Sequence, residues 1–470
     1  MRAFHWLPLC AATLLAACAP APRVVPDDAR IDTPTAWTTP AAVAIGERWW
    51  QGFGNAGLSR HIDAALTRNA NAQIAATRVA AARAQLALAD ASLLPALNAG
   101  MAAGATHTLT SSGIATTRSA QPQLQAAWEA DLWGKLGDRQ SAAAWQLQAS
   151  QAERDGVRLS IAAATAQAYI DLLARQAQLA QTRKTAELRQ KALVLAQDQQ
   201  LGGYISRLQL GQAEAEYEAV RQQIPALQLA LSRQRNALQL LAGELPAAQA
   251  EDAAQARAFD ALALPPVPGV LPSELLERRP DLTAAAAQLA AADANLSASR
   301  AAYLPSVQLS ASLGGLYVNT LDYDPIKVWS LGGSVLAPLF DGGRLDAQYD
   351  AATAQRDQAA YAYRSAVLTA FGEVENAFAG TLRLQEQLDG ARRRRAVLAR
   401  TASYAQDRYQ AGYSPYIEQL DAERNLYQTE IDVINLRQSQ FQNLIALYKA
   451  LGGGWQNANL QKQKTPLPIR

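Results

Sequence analysis

Ser306-Val307-Gln308-Leu309-Ser310-Ala311-Ser312-Leu313 alternates polar and apolar residues without a fault, and Leu345 to Ala411 then runs 67 residues without a proline. The first stretch has the two-residue period of a strand. The second is rich in Ala, Gln, Leu, Arg and Glu, all good helix formers. The same succession occurs earlier in the chain. Leu97 to Thr110 and Gln121 to Trp128 alternate less cleanly, and Ser141 to Leu201 is 61 residues without a proline. At a helical rise of about 1.5 Å per residue the two proline-free runs predict helices of roughly 90–100 Å. Helices of that length do not fit inside a compact globule.

The two successions are copies of one unit. Leu66-Thr67-Arg68-Asn69 to Leu94-Pro95 matches Leu276-Glu277-Arg278-Arg279 to Leu304-Pro305 at a constant offset of 210. Asp131-Leu132-Trp133-Gly134 corresponds to Leu339-Phe340-Asp341-Gly342, Gly203-Tyr204 to Gly412-Tyr413, and Leu241-Ala242-Gly243 to Ala450-Leu451-Gly452. Landmarks in the same order over such a distance indicate duplication. The resulting organisation is residues 58–270 as a first structural repeat and 271–454 as a second, each with helices and a β-hairpin, followed by a C-terminal tail at 455–470.

Each long helix ends at a glycine turn, Leu201-Gly202-Gly203-Tyr204 or Ala411-Gly412-Tyr413, and a return helix follows. In the second return helix Leu420, Tyr427, Ile434, Phe441 and Tyr448 recur every seven residues, with Ile417, Ile431 and Ile445 three before alternate members. That 3.5-residue period is the seam of a left-handed coiled coil.

The strand pairs are Leu97 to Thr110 with Gln121 to Trp128, and Ser306 to Leu313 with Val328 to Leu339, joined by polar loops at Ser111-Ser112-Gly113 and Asn319 to Pro325. Alternation with small polar residues on one face suits a barrel with lipid outside and water inside. It suits a half-exposed soluble sheet equally well. Four strands cannot close a barrel, and open edges are not tolerated in lipid. Two chains give eight strands, filled by their own side chains. Three give twelve strands and room for a water-filled lumen.

The first residues bear on which sheet this is. Met1-Arg2 begins a signal-peptide pattern, and an apolar stretch from Phe4 ends in Leu15-Ala16-Ala17-Cys18. This resembles a lipobox, with residues 1–17 removed and diacylglycerol and an N-acyl chain on Cys18; an ordinary secretory signal cut nearby is the alternative. Ala19 follows the cysteine, so nothing favours inner-membrane retention. Residues 18–57 read as a lipidated extended linker, its first part marked by Pro20, Pro22, Pro26, Pro34 and Pro40.

Composition narrows the function. The 470 residues carry 43 Lys+Arg against 41 Asp+Glu, a net charge of +2, which excludes an electrostatic nucleic-acid binder. Two cysteines exclude a disulfide scaffold, and three histidines leave little for metal or acid–base chemistry. His61 and His107 have no ligand cluster beside them. No nucleophile or cofactor constellation points to an enzyme, and no cofactor or metal is expected. Beyond the signal no apolar run is long enough for a transmembrane helix.

Several further motifs resemble the TolC-like outer membrane factor family, in its lipoprotein branch serving tripartite efflux. They are Trp128 to Lys135, Arg278-Arg279-Pro280-Asp281-Leu282, Arg300 to Ser306, Leu339 to Arg344, Arg408-Tyr409-Gln410-Ala411-Gly412 and Leu447 to Trp455. Ala286 and Ser297 depart from the family's usual Glu and Gly. The resemblance implies a mainly α fold with a β-barrel portion: a trimeric α-helical barrel joined to a 12-stranded transmembrane β-barrel, four strands per protomer. It implies a passive exit duct for small molecules across the outer membrane, with its helical tube in the periplasm. The implied partners are a periplasmic membrane-fusion adaptor and an inner-membrane RND-type transporter, besides outer-membrane lipid. The hairpin tips at Gly202, Gly203, Tyr204, Gly412 and Tyr413 are the implied adaptor contacts. A non-conducting coiled-coil spacer and a duct for type I protein secretion are the alternatives. Met1 and Met101 are the only methionines, so a methionine-lined copper path is absent.

The same resemblance places a periplasmic gate in the second hairpin. Glu418 and Asp421 lie three apart on one helix face, where the first repeat has Gln209 and Gln212. Tyr409 matches the family's gate tyrosine, while the family's arginine partner falls on Ser414. Two ordinary surface acids at a helix start, favoured there by the dipole, are the plainer reading. The remaining motifs read as structure. Leu451 to Trp455 is a helix stop, Arg279-Pro280-Asp281 a helix start, and Arg392 to Arg395 a solvated face with a lesser claim as an adaptor contact. Asp322 and Asp324 lack calcium-loop spacing.

Overall fold

The computed structural model describes residues 24–32, 34–37, 45–111, 113–247, 258–319, 325–453 and 455. Cys18 and residues 1–17, Asp322, Asp324 and the tail 456–470 lie outside the described residues. The chain divides into two compact units. One comprises Met1–Ile31, Thr77–Ala152 and Ala284–Ala366, the other Asp32–Ala76, Glu153–Thr283 and Val367–Arg470.

The elements follow the duplication. The first copy runs α1 Ala56–Arg68, α2 Ala70–Ser92, β1 Ala96–Thr110, β2 Gly113–Ala130, α3 Lys135–Leu201, α4 Arg207–Arg221 and α5 Gln223–Leu241. The second runs α6 Pro272–Arg278, α7 Pro280–Ala301, β3 Ser306–Val318, β4 Ile326–Leu336, α8 Arg344–Gln410 and α9 Tyr416–Ala450. Both long helices have 67 residues, so α3 starts six residues before the expected Ser141. An aspartate explains the early start. Asp131 accepts from Leu136 N at 3.0 Å and Gly137 N at 2.7 Å. Asp341 serves α8 in the same way, accepting from Leu345 N at 3.0 Å and Gly343 N at 3.1 Å. The carboxylates satisfy first-turn donors and oppose the helix dipole. The first return helix differs from expectation in being broken at Gln222, three residues before Pro225, whose missing N–H and ring interrupt the ladder.

The sheet in the first unit is antiparallel throughout, in the order β1-β2-β3-β4. β1, the weakest strand by pattern, pairs with β2 along its whole length. β4 stops at Leu336 instead of Leu339, since Pro338 has no N–H to donate. The β2–β3 ladder skips Gln121 and Pro122. There Gly314 lies so close that a Cβ on it would fall 2.4 Å from the Pro122 carbonyl oxygen. Glycine thus admits a proline in a central strand.

Register sorts the side chains. One face carries the cross-strand rows Leu124–Leu313–Trp329 and Leu97–Ala126–Ala311–Leu331, with Trp128 beside Leu309. The other carries Asn98–Gln125–Ser312–Ser330 and Glu129–Gln308–Ser334. The apolar face is uncovered in the protomer: Trp329 is 73% and Leu331 79% exposed.

The second unit has an aromatic core. Trp49 stacks on Tyr448 with centroids 5.0 Å apart, and Phe441 meets Phe53 at 6.0 Å and Phe259 at 6.1 Å. Of the expected heptad stripe, Leu420, Phe441, Ile445 and Tyr448 are buried and Tyr427, Ile431 and Ile434 half-buried. Ile417 departs from it: at the hairpin tip it is exposed, beyond the cover of a neighbouring helix of the same chain.

Each repeat is closed by the same clasp, where its first short helix meets the end of its return helix. In the first, Asn69 Nδ2 donates to Leu241 O at 2.9 Å. In the second, Arg279 Nη1 donates to Ala450 O at 3.0 Å. The glycine after each return helix has positive φ, 72° at Gly243 and 88° at Gly452. A Cβ there would lie 2.5 Å from Arg68 O or 2.4 Å from Arg278 O. The helix stop at Leu451 to Trp455 is therefore also a packing contact.

Candidate functional site

The two hairpin turns share one backbone and differ in chemistry. Gly203 and Gly412 both have φ of 77°, the left-handed stop that glycine adopts freely. Tyr204 N then donates to Gln199 O, and Tyr413 N to Arg408 O, each at 2.8 Å. Gly202, Tyr204, Gly412 and Tyr413 are exposed, with Tyr204 at 85% and Tyr413 at 80%. The helix starts diverge next. Ser206 caps α4 in a capping box, its Oγ accepting from Gln209 N while Gln209 Oε1 accepts from Ser206 N at 2.9 Å. Its counterpart at α9 is Pro415, which makes no side-chain cap and has no N–H to offer. Glu418, the match of Gln209, is thereby relieved of the capping task. Glu418 and Asp421 are both exposed, one turn apart on α9, and Asp421 Oδ2 accepts from Asn425 Nδ2 at 3.2 Å.

Tyr409 is half-buried at the end of α8. Its hydroxyl donates to Gln199 Oε1 at 3.3 Å, its ring lies 5.3 Å from that of Tyr416, and burial pushes its pKa up. It joins an apolar cluster of Ala196, Ala213, Tyr416 and Leu420, with Leu193, Ile205 and Leu210 at the edge. This cluster draws on both hairpins. Ser414 is half-buried, and its Oγ has no hydrogen-bond partner among the described residues. The structure therefore gathers Tyr409 into the junction between the hairpins, leaves Glu418 and Asp421 facing solvent, and gives Ser414 no tie.

Further ties between the hairpins come from residues that the sequence reading missed. Arg189, whose side chain is 4% exposed, pairs with Glu423, which also accepts from Gln419 Nε2 at 2.7 Å. Arg424 pairs with Glu216, joining α9 to α4. Behind them a cleft of about 530 Å³ runs between α3, α8 and α9, lined by Leu188, Ala192, Ala399, Gln406 and Leu426 among others. One clue lay in the duplication: Glu216 and Arg424 stand at nearly equal distances beyond Gly203 and Gly412, with opposite charge.

Other singled-out residues have local duties. His61 lies 5.3 Å from the Tyr169 ring, and its pKa is lowered, chiefly by burial. His107 pairs with the Thr116 hydroxyl at 2.7 Å. Arg392 to Arg395 are exposed, Arg392 lying 3.6 Å from Asp389.

Known proteins share this architecture and sequence. The chain is 33% identical to the pyoverdine export outer membrane protein OpmQ of Pseudomonas aeruginosa, over 95% of this chain and 96% of that protein. It is 32% identical to SilC, a probable outer membrane lipoprotein of Salmonella typhimurium, covering 89% of this chain and 90% of that one. The solved structure of the outer-membrane channel OprN superposes with a TM-score of 0.84 at 26% identity, covering 93% of this chain and 99% of that chain. The model of the family described as "Outer membrane efflux protein" matches residues 61–244 and again 271–453. The chain belongs to the outer membrane efflux protein family.

Proposed function

We propose that this chain is the outer-membrane exit duct of a tripartite efflux assembly, a lipid-anchored trimer that passes small molecules delivered from an inner-membrane transporter through a periplasmic adaptor. The observation that carries the reading is the sheet. Its apolar face and its polar face are both uncovered in the protomer, and β1 and β4 each leave an edge unpaired. A soluble half-exposed sheet buries its apolar face, whereas this one keeps Trp329 and Leu331 outside. Lipid covers such a face, and closing the edges against further copies removes the unpaired backbone groups. Three copies supply twelve strands, with Gln125, Ser312 and Ser330 toward the lumen.

OpmQ, by its name, exports pyoverdine, which supports a small organic cargo. SilC's description as a probable outer membrane lipoprotein supports the lipobox reading of Cys18. The exposed turns at Gly202 to Tyr204 and Gly412-Tyr413 are the surfaces offered to the adaptor, and Glu418 and Asp421 the acidic entrance. Reconstitution of the purified protein into planar lipid bilayers tests the duct directly. Discrete conductance steps and a native mass of three copies are expected; a silent bilayer with a stable monomer in detergent refutes the reading.

A further inference from the structure

The sheet of the first unit is almost free of charge, and the charges it has are sorted by face. β1 to β4 contain three formally charged residues, Arg118, Glu129 and Lys327. Lys327 opposes Gly315 and stands two residues from Trp329, so it shares the apolar face. Arg118 opposes Ala105, and two-residue steps carry it through Ala120 and Pro122 to Leu124 on that same face. Glu129 lies on the polar face with Gln308 and Ser334, and its carboxylate pairs with Lys135. Both cations of the strands therefore accompany the exposed leucines and Trp329, and the anion does not.

Both cations also stand at one end of the sheet. They lie toward the ends where β1 gives way to β2 and β3 to β4, whereas Glu129 adjoins the start of α3. Lys327 is eight residues from Val335 on β4, about 26 Å of strand, and Arg118 is twelve from Ala130 on β2, about 40 Å. At the ~40° strand tilt of outer-membrane barrels those lengths become roughly 20 and 30 Å of height, either side of the outer edge of an apolar band about 25 Å tall. Both side chains are exposed, and neither has a hydrogen bond or ion pair among the described residues. Tyr317, on β3 between them, shares the face and is 41% exposed, an amphipathic ring at interfacial depth. Depth alone lets a cation sit on the lipid face there. Two unpaired cations with no anion on that face call for an anionic partner.

We infer that Arg118 and Lys327 form a phosphate-binding edge for the phosphorylated glycolipid of the outer leaflet. The long helices lead away from the other end of the sheet into the periplasm, so the strand turns face the exterior. The lipid at that edge belongs to the leaflet that a bacterial outer membrane builds from phosphorylated glycolipid. Arg118 offers phosphate a forked set of donors and Lys327 a compact charge, both charge-assisted. The two stand two strands and four register positions apart, about 16 Å between Cα atoms, and the Tyr317 hydroxyl lies between them on a ring suited to the headgroup level. The inference rests on the reading of the sheet as part of a barrel in lipid.

Native mass spectrometry of the full-length protein, delipidated in detergent and then given diphosphoryl lipid A, counts what is retained. Wild type is expected to retain diphosphoryl lipid A well above its dephosphorylated form, and the preference should shrink as salt rises. Arg118→Gln with Lys327→Gln is expected to lower retention roughly ten-fold, as two basic groups at an anionic lipid surface warrant. Arg118→Lys with Lys327→Arg keeps both charges and should keep most of the lipid, while Glu129→Gln, on the opposite face, should change nothing. Equal retention of the two lipids by wild type overturns the inference without any variant. So does phosphatidylglycerol that displaces diphosphoryl lipid A as readily as the glycolipid displaces itself. Planar-bilayer recordings on the same preparations separate the two readings. A double Gln variant that conducts normally and retains lipid A in full overturns the inference alone. A wild type that neither inserts nor conducts refutes the barrel reading, and the phosphate edge with it.

Discussion

Replacing Arg279 by alanine tests whether the second clasp carries the weight that its burial suggests. Arg279 is 7% exposed, and its guanidinium makes four contacts: Nε and Nη2 donate to Asp281 at 3.0 and 2.8 Å, and Nη1 to Glu373 at 2.7 Å and Ala450 O at 3.0 Å. Leaving the Ala450 carbonyl without that donor costs about 1–3 kcal/mol. The void of the alkyl stem adds about 1 kcal/mol. The two carboxylates are 53% and 49% exposed, so they rehydrate and escape the penalty of a stranded buried charge. The expected total is about 2–4 kcal/mol. Asn69→Ala in the first clasp removes one neutral bond to Leu241 O and the cap to Asn71 N, worth about 1–2 kcal/mol.

The acid dependence separates a clasp from plain packing. Burial pushes the Asp281 carboxyl up, but the Arg279 hydrogen bonds and charge, with the Leu282 N–H, outweigh it and hold the group below its ordinary 3.8. A carboxylate with a depressed folded pKa contributes stability that is present above the ordinary value and is lost as pH falls through the depressed one. The gap between wild type and Arg279→Ala should therefore be widest at neutral pH and narrow in acid by the Asp281 share, leaving the cost of the lost Ala450 O bond and of the void at every pH. Urea midpoints in detergent at fixed protein concentration and equal slope read this directly. If Arg279→Ala costs no more than Asn69→Ala, or if the gap is the same at pH 3 and pH 7, the reasoning is wrong.

Other outcomes follow from the same geometry. Gly452→Ala should cost about 3 kcal/mol or more, because its Cβ meets Arg278 O in addition to the backbone strain, whereas Gly412→Ala, with open space around it, should cost only about 1–2 kcal/mol; thermal unfolding of the pair checks the ranking. Glu418→Gln with Asp421→Asn should leave stability within about 0.5 kcal/mol, both residues being exposed. In bilayers it should lower cation selectivity and relieve block by a trivalent cation whose affinity falls with salt; an unchanged reversal potential places the entrance field elsewhere. Arg189→Met should raise open probability in bilayers, since it frees Glu423 from the tie between the hairpins, and an unaltered gating record would refute that role.

The long helices, the duplication and the strand pairs were legible because each is a local signal repeated twice. Proline absence, alternation and the glycine stops need no partner to be read. What stayed hidden depends on contacts distant in sequence. The break at Gln222 stands three residues before Pro225, yet only a single return helix was expected after the Gly202-Gly203 turn, since that proline was not weighed. The Arg279 motif was legible as a helix start, but its bonds to Glu373 and Ala450 join residues 94 and 171 positions away. No spacing announces that. The Asp131 and Asp341 caps lay inside the quoted motifs, and only the geometry shows that these aspartates set where α3 and α8 begin. The Arg189–Glu423 pair had no local signature at all, since either residue alone looks like any charge on an amphipathic helix.

Duplication also explains why the two hairpins could come to differ at their tips. In the first, Ser206 and Gln209 satisfy each other, and the side chain at the third helical position is spent on the backbone. In the second, Pro415 fixes the entry angle by its ring and asks nothing of residue 418. An acid at that position still gains from the helix dipole, by about 0.3–1 kcal/mol, while its side chain stays in solvent. Proline at the cap is therefore what makes an exposed carboxylate affordable there. The hydrophobic cluster of Ala196, Ala213, Tyr416 and Leu420 meanwhile keeps both hairpins packed beneath their turns. Stability at the tip is thus carried by the buried residues and by Arg189–Glu423, leaving Glu418 and Asp421 free to carry charge without being needed for the fold.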